Sequence, residues 1–196
     1  MAPAPKHREN LVAAATALFR RQGYAATGLA EILAESGAPK GSLYHYFPDG
    51  KEAVGEAALR WAAESMGAKM LALADASPDP RDFIEAYARY AAADMQGSGF
   101  REGCALATVT LEATPQSERI SSASRDAFAG WVRILARSLR RAGMAPERAL
   151  ELGEFIVSSF EGALILARVR QDSGPILRVA KELVRVVDTE LQPRSV

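Results

Sequence analysis

Apolar residues recur at three- and four-residue intervals along nearly the whole chain, and no stretch sustains the two-residue alternation of β-branched side chains that a half-buried strand shows. Such a chain buries its apolar stripes by packing helix against helix, so the expected class is all-α. Glycine and proline cut the pattern into about nine helices. They are expected near 6–22, 29–35, 39–47, 51–74, 81–96, 104–113, 116–142, 146–171 and 174–191. The first carries Leu11, Ala15, Leu18 and Phe19 on one face and stops at Gly23, a residue suited to the left-handed position after a helix. Thr27 sits where an N-cap of the second belongs, and Ser36 with Gly37 ends it. Pro39 is tolerable at the start of the third because its missing N–H would have no partner inside the helix.

Two short helices joined by a tight glycine-containing turn have the lengths of a helix-turn-helix. In the second of them Leu43 and Phe47, four apart, share a face, whereas Lys40, Gly41 and Ser42 leave the N-terminal turn polar and slim. A slim polar tip suits the major groove, where lysine donates to guanine O6 and N7 and serine bonds either partner. Simple solvation of Lys40 and Ser42 is the competing reading. Tyr44, His45 and Tyr46 follow in succession and cannot all be buried on so short a helix; Tyr44 and His45 are candidates for phosphate contacts, Tyr46 for either phosphate or the core edge. Lys51 opens the fourth helix, adding a cation to backbone N–H groups that already attract an anion. Thr27 either caps its helix or offers its hydroxyl to the DNA backbone. Lys6, His7 and Arg8 are either a solvated terminus or a basic arm.

The balance of charge adds nothing to this, because 24 Lys and Arg are matched by 24 Asp and Glu, so any basic surface must be local. Cys104 is the sole cysteine and no Cys/His cluster has metal-ligand spacing; a structural role for that thiol is expected, and no metal or cofactor. No apolar run reaches the length of a membrane span and the N-terminal stretch lacks a signal-peptide core, which points to a cytoplasmic protein. No nucleophile–base pair or phosphate loop is evident, so an enzyme is not expected.

The run LVAAATALFRRQGYAATGLAEILAESGAPKGSLYHYFPDGK, from Leu11 to Lys51, closely resembles the DNA-binding domain of the TetR family of transcriptional regulators. The resemblance combines an ALF…GY-x-x-T start, the helix-turn-helix spacing and G-S-L-Y-H-Y-F before a lysine. It implies that Thr27, Pro39, Lys40, Gly41, Ser42, Tyr44, His45 and Lys51 occupy DNA-contacting positions, that the protein is a homodimer binding a palindromic operator, and that its C-terminal helices hold a small-molecule effector. Gly28 departs from the pattern where many members carry a side chain able to reach DNA. The Phe47–Lys51 connection is one residue longer than usual and brings in Asp49, whose charge opposes a phosphate backbone. That connection, with Gly103-Cys104-Ala105-Leu106 and Leu111-Glu112, resembles the LmrA/YxaF-like branch.

A DNA-binding domain over 1–54 and a ligand-binding and dimerisation domain over 55–196 are therefore expected. Candidate pocket walls are Trp61, Met66, Met70, Phe83, Tyr87, Phe100, Phe128, Trp131 and Phe160, although any one of them taken alone is more readily ordinary core. The eighth helix is apolar or small on more than one face, so Phe155, Ser159, Gly162, Ile165 and Leu166, with Leu177, Ala180, Val184 and Val187 of the ninth, are candidates for a two-fold interface. The function expected is a ligand-released repressor. The alternative is a small-molecule binding protein with a vestigial DNA-binding domain, to which Gly28 and Asp49 lend support.

Overall fold

The computed structural model describes residues 5–191; residues 1–4, part of the N-terminal stretch expected to lack a signal-peptide core, lie outside it, as do 192–196. Among the described residues there are nine α-helices and no strand: α1 (Pro5–Gln22), α2 (Leu29–Ser36), α3 (Lys40–Tyr46), α4 (Lys51–Ala76), α5 (Pro80–Gly97), α6 (Ala105–Ala113), α7 (Glu118–Arg141), α8 (Pro146–Arg170) and α9 (Gly174–Leu191). The expected all-α class is what the chain adopts, with ends displaced by one or two residues where a cap decides them.

The helices form two compact units. The first contains the described residues as far as Ser65 together with Gly103–Ala127; the second contains Met66–Glu102 and the described residues from Phe128 onward. The unit that carries the helix-turn-helix thus extends well past residue 54, because α1 packs against α6 as well as against α2 and α3. The α1 stripe supplies its core, with Leu11, Ala15, Leu18 and Phe19 all buried beside Ile32, Leu43 and Phe47. Burial of a ring such as Phe19 stabilises by about 2–3 kcal/mol. The end of α1 is tied to the residue before α6 by a reciprocal pair: Gly103 N–H donates to the Arg20 carbonyl (3.1 Å), and Arg20 Nε donates to the Gly103 carbonyl (3.0 Å).

In the second unit α5 and α8 both pack against α9. Asp79 caps α5, its Oδ1 accepting from Arg81 N–H at 2.9 Å, while Arg81 Nη1 reaches Asp188 of α9 at 2.6 Å. Arg148 near the start of α8 donates to Glu151 (2.9 Å) and to Glu190 of α9 (2.6 Å). Both arginines are thereby held further in their charged form by carboxylate hydrogen bonds. These pairs stitch the end of α9 to the beginnings of α5 and α8.

Candidate nucleic-acid interface

Left-handed Gly37 ends α2, and the Ser36 hydroxyl accepts from Ala38 N–H at 3.2 Å, so the chain reverses within three residues before Pro39 opens α3. The seven residues of α3 divide cleanly. Leu43 is buried, as is Phe47 just beyond the helix, whereas Pro39, Lys40, Gly41, Tyr44 and His45 are exposed. Lys40/Tyr44 and Gly41/His45 are four apart and form one outward row. Tyr44 stands 56% exposed, which is far from a core tyrosine. Lys40 makes no hydrogen bond or ion pair among the described residues, and a side chain at Gly41 would meet nothing of this chain within 4 Å. His45 instead rests edge-on against Tyr46 at 4.9 Å.

Two of the expected contacts are corrected. Thr27 is 0% exposed, and its hydroxyl donates to the Gly23 carbonyl at 2.7 Å, so it neither caps α2 nor faces outward; the N-cap is Gly28. Ser42 is 1% exposed, its hydroxyl enclosed without a partner among the described residues. The reason is helical geometry: Ser42 lies next to Leu43 on the inner side, four residues from half-buried Tyr46 rather than in line with Lys40. Arg8, read as part of a possible basic arm, lies over the Phe47 ring at 5.7 Å.

Lys51, half-buried at the start of α4, donates from Nζ to the Ala25 carbonyl at 3.1 Å and lies 4.6 Å from the centre of the Tyr24 ring. Burial lowers its pKa from the ordinary lysine value, and the nearby Glu112 carboxylate partly opposes that. Asp49 does not stand free: Arg119 of α7 donates to it at 2.9 Å and also approaches Glu56 at 3.5 Å. The extra residue in the Phe47–Lys51 connection therefore carries its negative charge to a cation of the same unit. Glu112 and Arg119 are functional-region residues that motif reasoning missed. The only signal was the Leu111-Glu112 pair, which sequence alone could not place in space.

Residues 11–58 match the family model of bacterial regulatory proteins, tetR family, and residues 80–182 match that of the transcriptional regulator LmrA/YxaF-like C-terminal domain. The uncharacterized regulator YxaF of Bacillus subtilis is 34% identical over 176 residues, 90% of this chain and 92% of that one. The chain belongs to the TetR family. The HTH-type transcriptional regulator LmrA of the same species is 33% identical over 173 residues, covering 88% of this chain and 92% of its own. Among solved structures, a TetR regulatory protein from Rhodobacter sphaeroides superposes with a TM-score of 0.80 at 26% identity, over 90% of this chain and 96% of that one. CifR, a TetR family regulator solved in complex with 26bp double-strand operator DNA, has the same fold with a TM-score of 0.76 at 22% identity, over 90% of this chain and 94% of its own. This TetR-family protein is a DNA-binding transcription regulator.

The second unit of this regulator holds a cavity lined by Met70, Ile84, Tyr87, Trp131, Leu135, Ile156, Val157, Phe160 and Glu161. Four of the nine expected walls, Met70, Tyr87, Trp131 and Phe160, are therefore brought together. Tyr87 and Phe160 meet edge-on at 4.8 Å. The others fall elsewhere: Trp61 belongs to the first unit and is exposed, and Phe83 is core. Phe128 packs on Trp131 at 5.7 Å, and Met66 and Phe100 are half-buried away from this cavity. The cavity volume is about 20 Å³, enough for one water-sized body.

A second, open groove runs over α8 and α9 and is lined by Phe155, Ser159, Gly162, Ile165 and Leu166, with Arg178, Val179, Glu182 and Val186 among its other residues. Five of the nine residues expected at a two-fold interface are in it. Leu177 is exposed and Val184 half-buried. Ala180 and Val187 are corrected, since both are buried within the protomer on the face that α9 turns toward its own unit. Exposed Val169, which sequence reading left out, extends the apolar strip along α8.

Proposed function

We propose that this regulator is a repressor that binds a palindromic operator as a homodimer and is released by a small-molecule effector. The observation that carries the DNA-reading half is the outward row on α3: Lys40 and Gly41 would approach base edges, and Tyr44 and His45 would meet phosphates. An exposed lysine without a partner beside a glycine with open space is a surface shaped for close approach by another molecule. Lys51 would grip a phosphate at the flank. Two copies of α3 about 34–36 Å apart would fit successive major grooves. The α8/α9 groove supports the two-fold: its apolar strip is bare in the single protomer, and Arg178 and Glu182, four apart on α9, have complementary charges to exchange across an axis.

The aromatic cavity supports the effector half. Because it holds so little, an effector would bind only a widened form, and its preference for that form sets how far the DNA-competent population is depleted. Pairing of Asp49 with Arg119 removes one of the two reasons for considering the DNA-binding domain vestigial. The test is binding to duplex DNA across a salt series. Lys51→Ala should weaken binding to all sequences and reduce the salt slope by about one, whereas Lys40→Ala should alter the sequences retained from a random pool. Retention of no sequence preference by the unmodified protein would refute the regulator reading in favour of a small-molecule binder.

A further inference from the structure

Gly23 lies at φ +94°, and a Cβ there would collide with a carboxylate oxygen of Glu112. The other oxygen of that carboxylate accepts from Ala25 N–H at 2.6 Å. The carbonyl of the same Ala25 receives the Lys51 ammonium at 3.1 Å, and Glu112 is close enough to act on that ammonium electrostatically. Glu112 and Lys51, from α6 and α4, thus hold the two sides of one residue in the turn between α1 and α2. Thr27 bonds within the turn, through its Oγ to the Gly23 carbonyl and its N–H to the Tyr24 carbonyl, and the Tyr24 ring gives Lys51 a second support at 4.6 Å. Tyr24 then fills the space over Gly55, where a Cβ would stand 2.8 Å from its ring.

We infer that Glu112 is a positioning residue for DNA binding: it fixes Ala25, and Ala25 aims Lys51. The inference rests on the proposed phosphate role of Lys51. A charged group held this way reaches a phosphate without first being ordered, so loosening its anchor weakens binding even though the cation remains. The charge of Glu112 alone would do the opposite, because removing an anion near a DNA-binding surface favours the complex. The two effects have different signs, which makes the reading decidable.

The experiment measures affinity for a fixed mixed-sequence duplex of about 30 base pairs, at constant salt, for Glu112→Ala, Glu112→Gln, Lys51→Ala and the double variant Glu112→Ala/Lys51→Ala, with thermal unfolding confirming the fold. Glu112→Ala should weaken binding by about 3- to 10-fold, within the coupling seen between residues of one network. Glu112→Gln, which retains an oxygen for Ala25 N–H, should recover most of it. In the Lys51→Ala background Glu112→Ala should add almost nothing, which a merely structural role would not produce. Tighter binding by Glu112→Ala, or losses that simply multiply in the double variant, would overturn the inference. If Lys51→Ala itself has no effect, the phosphate role of Lys51 is what fails. Should Glu112→Ala not fold, Glu112→Met, which fills the site but offers Ala25 N–H no oxygen, takes its place in the same cycle, and affinity equal to or above that of the unmodified protein overturns the inference.

Discussion

Replacing Ser42 by alanine separates the two roles available to a polar residue on the recognition helix. Its hydroxyl is enclosed and has no partner among the described residues. An unpaired buried hydroxyl costs about 1–3 kcal/mol, which alanine avoids, and alanine is a better helix former by a few tenths of a kcal/mol, roughly. Against this stands the void left by one oxygen: roughly 10 Å³ at about 24 cal/mol per Å³ comes to about 0.2 kcal/mol. The balance is a gain of about 1–3 kcal/mol, or about 2–12 °C in the unfolding midpoint of a chain this long. Urea and thermal unfolding by circular dichroism, at one protein concentration because dimerisation would add its own stabilisation, give the first readout. The sequences retained from a random duplex pool give the second, and should not change. A lowered midpoint would mean that the hydroxyl is satisfied in solution; an altered pool would mean that it reads bases.

Gly23→Ala should cost about 2–3 kcal/mol in urea unfolding, from roughly 1–2 kcal/mol for a side chain at positive φ plus displacement of the Glu112 carboxylate, and combining it with Glu112→Ala should recover the second part. Asp79 is held below the usual carboxylate range, first by its hydrogen bond from the Arg81 side chain and also by the Arg81 N–H. The unfolded chain binds that proton at higher pH than the native one, so the stabilisation is complete above about pH 4–5 and is lost as pH falls through the lowered native value. Asp79→Asn should keep the cap while flattening this acid limb, and Asp79→Ala should in addition lose about 1 kcal/mol at neutral pH, both measured by urea unfolding over a pH series. Phe155→Asp with Ile165→Asp should convert the proposed dimer to a species of half the mass in sedimentation equilibrium at about 10 μM and lower operator affinity with it; an unchanged mass would place the interface elsewhere.

The periodicity of apolar residues was enough to find every helix, because each depends on a local stripe and local stops: α9 begins and ends at Gly174 and Leu191 as read. The same local logic failed wherever a side chain's direction is set by a partner distant in sequence. Thr27 looks like a cap, yet its hydroxyl turns back to Gly23 because the turn before α2 closes on itself. Ala180 and Val187 lie on the apolar side of an amphipathic α9, but sequence does not say which part of that side faces its own unit and which stays bare. A boundary at residue 54 puts Trp61 in the second domain, whereas the first unit continues to Ser65 and takes in Gly103–Ala127, some forty residues later. Family pattern marked Leu111-Glu112 without giving a reason; the contact from Glu112 to Ala25 spans 87 positions and has no local signature.

A chain with no net charge must create any attraction for a polyanion locally, and in the first unit several acids close to α3 are met by partners of the same unit. The start of α4 carries Glu52 and Glu56, and the connection before it carries Asp49, three negative groups next to the helix that would enter the groove. Each is met from the beginning of α7 or the residue before it: Ser117 donates to Glu52, and Arg119 reaches both Asp49 and Glu56. Arg119 is accordingly held further in its charged form, principally by its bond to Asp49. Exposed pairs of this kind contribute little to stability, about 0–1 kcal/mol. Their effect here is electrostatic: Arg119 offsets part of the negative charge of Asp49 and Glu56, Ser117 satisfies Glu52 without changing its charge, and Lys40 has no bonded carboxylate among the described residues. Composition could not reveal this, since it counts charges without saying which are already paired.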